Sequence, residues 1–154
     1  MALAPSSDRR CVKAGKSMPP EGGSPGDPRE WLRRARSNLA RSAQGQITPE
    51  VLFEDACFDA QQAAEKALKA LLVLRGVQVP RTHAISELIT MLAELGFAIP
   101  ADVQEASALT DYAVAARSPG PSEPVLVEDY EKAVASAAAQ VRTLSRGPDR
   151  RAAL

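Results

Sequence analysis

Between Thr48 and Gly76, apolar and small side chains return every three or four residues: Phe53, Cys57, Ala60, Ala64, Leu68 and Leu71. That is the period of an α-helix laying one stripe against a neighbour. Thr48-Pro49-Glu50 has the form of a helix start, and Gly76 after Arg75 that of a stop, with Pro80 beyond it. A helix of this length must cover its stripe with other helices, and its alanines let them come close. No stretch alternates apolar and polar residues as a half-buried strand would. Composition agrees. Alanine and leucine dominate the hydrophobic 45% of the chain and aromatics are only 4%, whereas strands draw on β-branched and aromatic residues.

Four further helices are predicted. Asp27-Pro28-Arg29-Glu30 sets an N-cap, a proline at the first helical position and a capping-box glutamate in order. The helix runs to about Ala43, with Trp31, Leu32, Ala35 and Leu39 on its stripe. A third helix starts between Thr82 and Ser86 and buries Ile85, Leu88, Ile89, Leu92 and Leu95 before Gly96. A short fourth follows Pro100 and carries Val103, Ala106 and Leu109, with Tyr112 as a candidate further position, and residues 113–116 are able to extend it. After the proline-rich stretch 118–124, a fifth runs from near Val127 to about Leu144, with Tyr130, Val134, Ala137, Val141 and Leu144 inward. The expected fold is all-α: an up-and-down bundle of four main helices with a short extra helix over residues 27–146. Residues 1–26, rich in proline, glycine and serine, lack the apolar surface to order themselves. Met18, just before the change in composition, is a candidate translation start. Residues 147–154 read as a frayed tail.

The 19 basic and 19 acidic residues cancel, so no overall field would hold the protein on nucleic acid or an acidic membrane. No apolar run approaches the roughly 18 residues of a transmembrane helix, and no apolar segment follows Arg9, Arg10, Lys13 and Lys16 as in a secretory signal. The expected compartment is the cytoplasm. Cys57 reads as a small core residue and Cys11 as exposed; their spacing fits neither zinc, redox chemistry nor a disulfide framework. There is no glycine-rich phosphate loop, Glu-x-x-His pair, His/Cys cluster or Gly-x-Ser-x-Gly elbow, and neither metal nor cofactor is expected.

Three polar features remain. Gln61, Glu65 and Lys69 follow one another at four-residue spacing along the border of the long apolar stripe, with Gln62 and Lys66 further toward solvent. They form either a solvated flank stabilised by the Glu65–Lys69 pair or a polar groove beside the bundle seam. His83, the sole histidine, stands at a helix start after Arg75 and Arg81. It is a cap or polar contact, or a group that exchanges protons in the cellular pH range. Arg29, Arg33, Arg34, Arg36 and Arg41 crowd the first helix, a solvated face in the plainer reading and a phosphate contact in the sharper one.

Ala56-Cys57-Phe58-Asp59-Ala60-Gln61-Gln62-Ala63-Ala64-Glu65-Lys66-Ala67-Leu68-Lys69-Ala70-Leu71-Leu72, then Arg75-Gly76, closely resembles the second helix of small prokaryotic HEPN domain proteins. Arg81-Thr82-His83-Ala84-Ile85-Ser86-Glu87-Leu88 is similar to that family's Thr-His-Asp-Leu turn, and the run from Leu109 through Tyr112 and Arg117 to Gly120 to its Tyr-x4-Arg-Tyr-Pro segment. The resemblance spans roughly Pro28 to Leu144. It implies a helical bundle, usually a homodimer, often paired with a minimal nucleotidyltransferase in a toxin–antitoxin system. Active members are metal-independent ribonucleases with an Arg-x4–6-His motif; others bind nucleotides or their partner without catalysis. In this chain the motif is broken. Arg75 precedes His83 by one residue too many, Arg81 is too close, and Arg117 has no histidine after it. Ser118 stands where the family has an aromatic.

The resemblance therefore favours a non-catalytic nucleotide- or RNA-associated binding module, with Gln61, Glu65, Lys69, His83, Tyr112 and Arg117 lining the site. One alternative is a metal-independent ribonuclease with a variant site, using His83 as general base and Arg75, Arg81 or Arg117 to stabilise charge. Another is a purely structural oligomerisation bundle.

Overall fold

The computed structural model describes residues 26–109 and 124–146. Tyr112 and Arg117, residues 1–25 and the tail from 147 lie outside the described residues. Among the described residues five α-helices follow in order: α1 (Pro28–Ser42), α2 (Phe53–Leu74), α3 (Ile85–Glu94), α4 (Ala101–Glu105) and α5 (Val127–Ser145), with a 3-10 turn at Ala106–Ala108 after α4. Among the described residues there is no strand, as expected, and no helix is long and apolar enough to cross a membrane.

α1 begins on the N-cap and the proline its sequence predicts, while the expected capping-box glutamate is engaged elsewhere. Asp27 is extended, and its carboxylate accepts the amide of Arg29 at 2.9 Å ahead of Pro28 at the first turn. The Glu30 carboxylate turns to Arg33 and Arg34, each 2.8 Å away. Their hydrogen bonds lower its pKa to about 2.

α2 starts four residues later than Thr48-Pro49-Glu50 predicts, at Phe53 with Leu52 as its N-cap. That signature closes only a separate turn, with the Val51 amide on the Thr48 carbonyl at 3.1 Å; the chain then re-extends at Leu52. Both α2 and α3 end as Schellman motifs on glycines in the left-handed region. For α2, Gly76 (φ +75°) donates to Val73 and Val77 to Leu72; for α3, Gly96 (φ +84°) donates to Ala93 and Phe97 to Leu92.

α2 is the axis of the bundle, packed between α1 and α5 and touching α3. Its alanines 60, 63, 64 and 67 are fully buried together with Cys57, Leu68 and Leu72, so the partner helices seat against a nearly flat surface. Ala35 of α1, Ile85, Leu88 and Leu92 of α3, Val103 of α4, and Ala133, Ala137, Val141 and Leu144 of α5 complete the core. Several expected core positions lie at the edge of the core: Trp31, Leu32, Leu39, Phe53, Ile89 and Val134 are only half-buried. Leu95 is 41% exposed because it is the C-cap of α3, beyond the last buried turn, and Tyr130 is only half-buried, at the head of α5. Tyr130 packs its ring 5.1 Å from Phe53 and donates its hydroxyl to the Ser42 carbonyl at 3.0 Å.

Candidate polar site on the second helix

The polar border of α2 is not a solvated flank. Gln61, Glu65 and Lys69 are all nearly fully buried, covered by the lead-in to α3 and by Trp31 of α1. Lys69 Nζ lies 2.8 Å from Glu65 Oε1 and 5.9 Å over the Trp31 ring. His83 Nδ1 meets the same Glu65 oxygen at 3.0 Å. On the other oxygen, Oε2, Gln61 and Gln62 converge through their side-chain amides at 3.2 and 3.3 Å. Gln61 also donates to the His83 carbonyl at 3.2 Å and accepts from Gln62 at 2.8 Å. One buried carboxylate thus gathers four donors, which is how a charge is accommodated out of water.

Gln62 and Lys66 do not point simply to solvent either; both are half-buried. Lys66 donates to Asn38 of α1 at 2.6 Å and to Gln62 at 3.3 Å, and burial lowers its pKa. Asn38 in turn donates to Asp59 at 2.6 Å, and Asp59 pairs with Arg41 at 3.1 Å. A polar chain therefore runs from Arg41 through Asp59, Asn38, Lys66 and Gln62 to Glu65 and His83, tying α1 and the head of α3 to α2. Asn38, Asp59 and Trp31 are the members that sequence reasoning passes over. The available signal is Asp59, Gln62 and Lys66 recurring on the α2 face beside the apolar stripe.

Of the predicted site residues, Gln61, Glu65, Lys69 and His83 are brought together. Lys69 is committed to Glu65 and only 5% exposed, so its ammonium is not presented to a ligand as the structure stands. His83 is the open end: its side chain is 65% exposed. Because the Glu65 carboxylate can only accept, the His83 nitrogen facing it carries the proton, leaving Nε2 of the neutral ring as the acceptor at the surface. Thr82 holds the approach to α3 by accepting the Ala84 amide at 3.1 Å. Arg75 places its guanidinium 4.3 Å from the centre of the Phe97 ring. The arginines of α1 are exposed, with Arg33 and Arg34 paired to Glu30 and Arg41 to Asp59. Among the described residues no group of three or more His, Cys, Asp and Glu side chains could hold a metal.

The HEPN domain family model matches residues 28–146, most of the chain. The chain belongs to the HEPN family. Among solved structures, TT1696 from Thermus thermophilus is 35% identical, with a TM-score of 0.67 over 77% of this chain and 96% of that one. ST0689, described as an archaeal HEPN homologue, is 23% identical and shares the fold, with a TM-score of 0.60 over 78% of this chain and 96% of its own. The comparison with curated proteins finds no match. In this HEPN domain the described polar site lies along α2 and opens to solvent at His83.

Proposed function

We propose that this HEPN chain is a nucleotide- or RNA-associated binding module. It works as a homodimer beside a minimal nucleotidyltransferase-type protein, in a toxin–antitoxin-like pair, and has no catalytic role. The observation that carries the reading is the exposed His83 ring held at 3.0 Å by the buried Glu65. A fixed, surface-facing imidazole offers an acceptor to a ribose hydroxyl or base edge and, when protonated, a donor to a phosphate. Tyr112 and Arg117, which lie outside the described residues, are assigned to the same site by family position alone. The missing Arg-x4–6-His spacing argues against cleavage.

One feature favours a second reading. Glu65 holds His83 in the tautomer whose Nε2 can take a proton, the arrangement a general base needs. The variant ribonuclease would use it on the ribose 2′-hydroxyl without a metal.

The two are separated by incubating the purified protein and a helical His83→Ala variant with a mixed RNA pool in EDTA, and titrating both with a labelled oligoribonucleotide. The binding module predicts no cleavage by either protein and weaker binding by the variant. Cleavage by the wild type alone establishes the ribonuclease. Equal binding without cleavage removes His83 from the function and leaves the bundle a structural role.

A further inference from the structure

At the end of the bundle away from the α2 C-terminus, two helices begin on exposed leucines. Leu52 is the N-cap of α2 and Leu126 the N-cap of α5; neither makes a side-chain cap, and they are 54% and 60% exposed. Local physics prefers serine, threonine, aspartate or asparagine at such positions, which would satisfy a free helical amide. Both sites thus forgo a cap and keep an apolar side chain in water. Places where a sequence departs from local preference without a packing gain are where function is to be sought.

These leucines share one surface. The Val125 amide donates to the Glu54 carboxylate at 3.1 Å, Phe53 stacks on Tyr130, and a Cβ on Gly45 would lie 3.0 Å from the Tyr130 hydroxyl. The α1–α2 connection and the head of α5 are therefore clamped together. Ile47, 65% exposed, and Val127, 49% exposed, extend the apolar area.

The two segments that form it carry one sign of charge, with Arg41 and Lys132 as the flanking cations. Residues 46–55 and 124–131 contain Glu50, Glu54, Asp55, Glu128, Asp129 and Glu131 and no lysine or arginine. Four of the six sit in first helical turns, where they complement the helix dipoles. Glu50 and Glu131 lie outside those turns. Six full charges also exceed the half-charge each helix start presents. Glu54 and Asp129 both add to the rise that burial gives the core Cys57 thiol, which places the two carboxylates near one another at this end of the bundle.

We propose that this acid-rimmed apolar end is a docking surface for a basic amphipathic segment of a partner protein, its apolar face on Ile47, Leu52, Leu126 and Val127 and its lysines or arginines on the surrounding carboxylates. Apolar contact supplies affinity and the rim selects the sign of the partner. The surface is separate from the His83 site and stands independently of the function proposed there.

The test uses the full chain and a synthetic leucine–lysine peptide of about 14 residues patterned as an amphipathic helix, with a leucine–glutamate peptide of the same pattern as control. The expected result is binding of the basic peptide alone, with amide shifts confined to residues 46–55 and 124–131. The variants Leu52→Ser and Leu126→Ser should weaken binding about tenfold or more together, while each raises Tm by about 3 °C through its new cap. A functional leucine and a structural one thus predict Tm changes of opposite sign. Equal binding of both peptides, shifts elsewhere, or a fall in Tm in both variants would overturn the proposal. So would sedimentation showing that this surface closes on a second copy and reopens in Leu126→Ser.

Discussion

Two oxygens of Glu65 receive the Lys69 ammonium, the His83 ring and the amides of Gln61 and Gln62, and the carboxylate itself is almost wholly out of water. The carboxylate and the ammonium are each tolerable only because of the other. Replacing Glu65 with glutamine keeps the volume and removes the charge, leaving Lys69 buried without its counter-ion. Breaking one side of such a pair costs about 3–5 kcal/mol, so Glu65→Gln should move the urea midpoint down by a corresponding amount. Adding Lys69→Met, whose chain fills similar space without charge, should return most of that loss. If the double variant is no more stable than the single one, the charge pair is not what holds this seam. Nitrogen-15 spectra at pH 8 should show His83 protonated on Nδ1 in the wild type and a mixture of tautomers in Glu65→Gln.

At the scale of the element, the central positions of the apolar stripes in the described helices are legible because a helix periodicity depends on its own residues alone. The polar border of α2 is not. A run at four-residue spacing beside a stripe looks the same whether water or another element covers it. What covers it here is the His83 carbonyl and Trp31, both brought in by tertiary packing. The α2 start departs from its sequence signature for a related reason: Thr48 and Glu50 do engage one another, and their bond lowers the Glu50 pKa, but within one isolated turn. The glycines that end helices are legible, yet they differ in what surrounds them. A Cβ at Gly76 would meet nothing within 4 Å, whereas one at Gly45 (φ +62°) would press on Tyr130. Gly76→Ala should therefore cost only the left-handed backbone penalty, about 1–2 kcal/mol. Gly45→Ala should cost more, because the Tyr130–Ser42 hydrogen bond must also shift. In a Tyr130→Phe background, where that bond is already gone, the excess should shrink; an unchanged excess in urea unfolding would place the strain elsewhere.

For the whole molecule, the bundle is unevenly secured. α2 is buried along nearly its full length by α1 and α5, and the polar chain from Arg41 to Gln62 stitches its α1 side. α3 contributes Ile85, Leu88 and Leu92 to the core, and its head is tethered to α2 by the two bonds through His83. Stability of this kind divides into a shared global part and local openings of weaker units. Amides of residues 68–72 in α2 should accordingly exchange with solvent only on global unfolding, and those of 89–93 in α3 through a more frequent local opening. His83→Ala cuts one of the two tethers and leaves the backbone carbonyl for Gln61. It should speed α3 exchange by about threefold to tenfold, the reach of one partly exposed hydrogen bond to a charged group, and leave the α2 core rates unchanged. A uniform acceleration across both helices would mean that α3 opens only with the whole bundle. The His83 side chain would then be part of the global fold, and not the hinge between the polar seam and its exposed end.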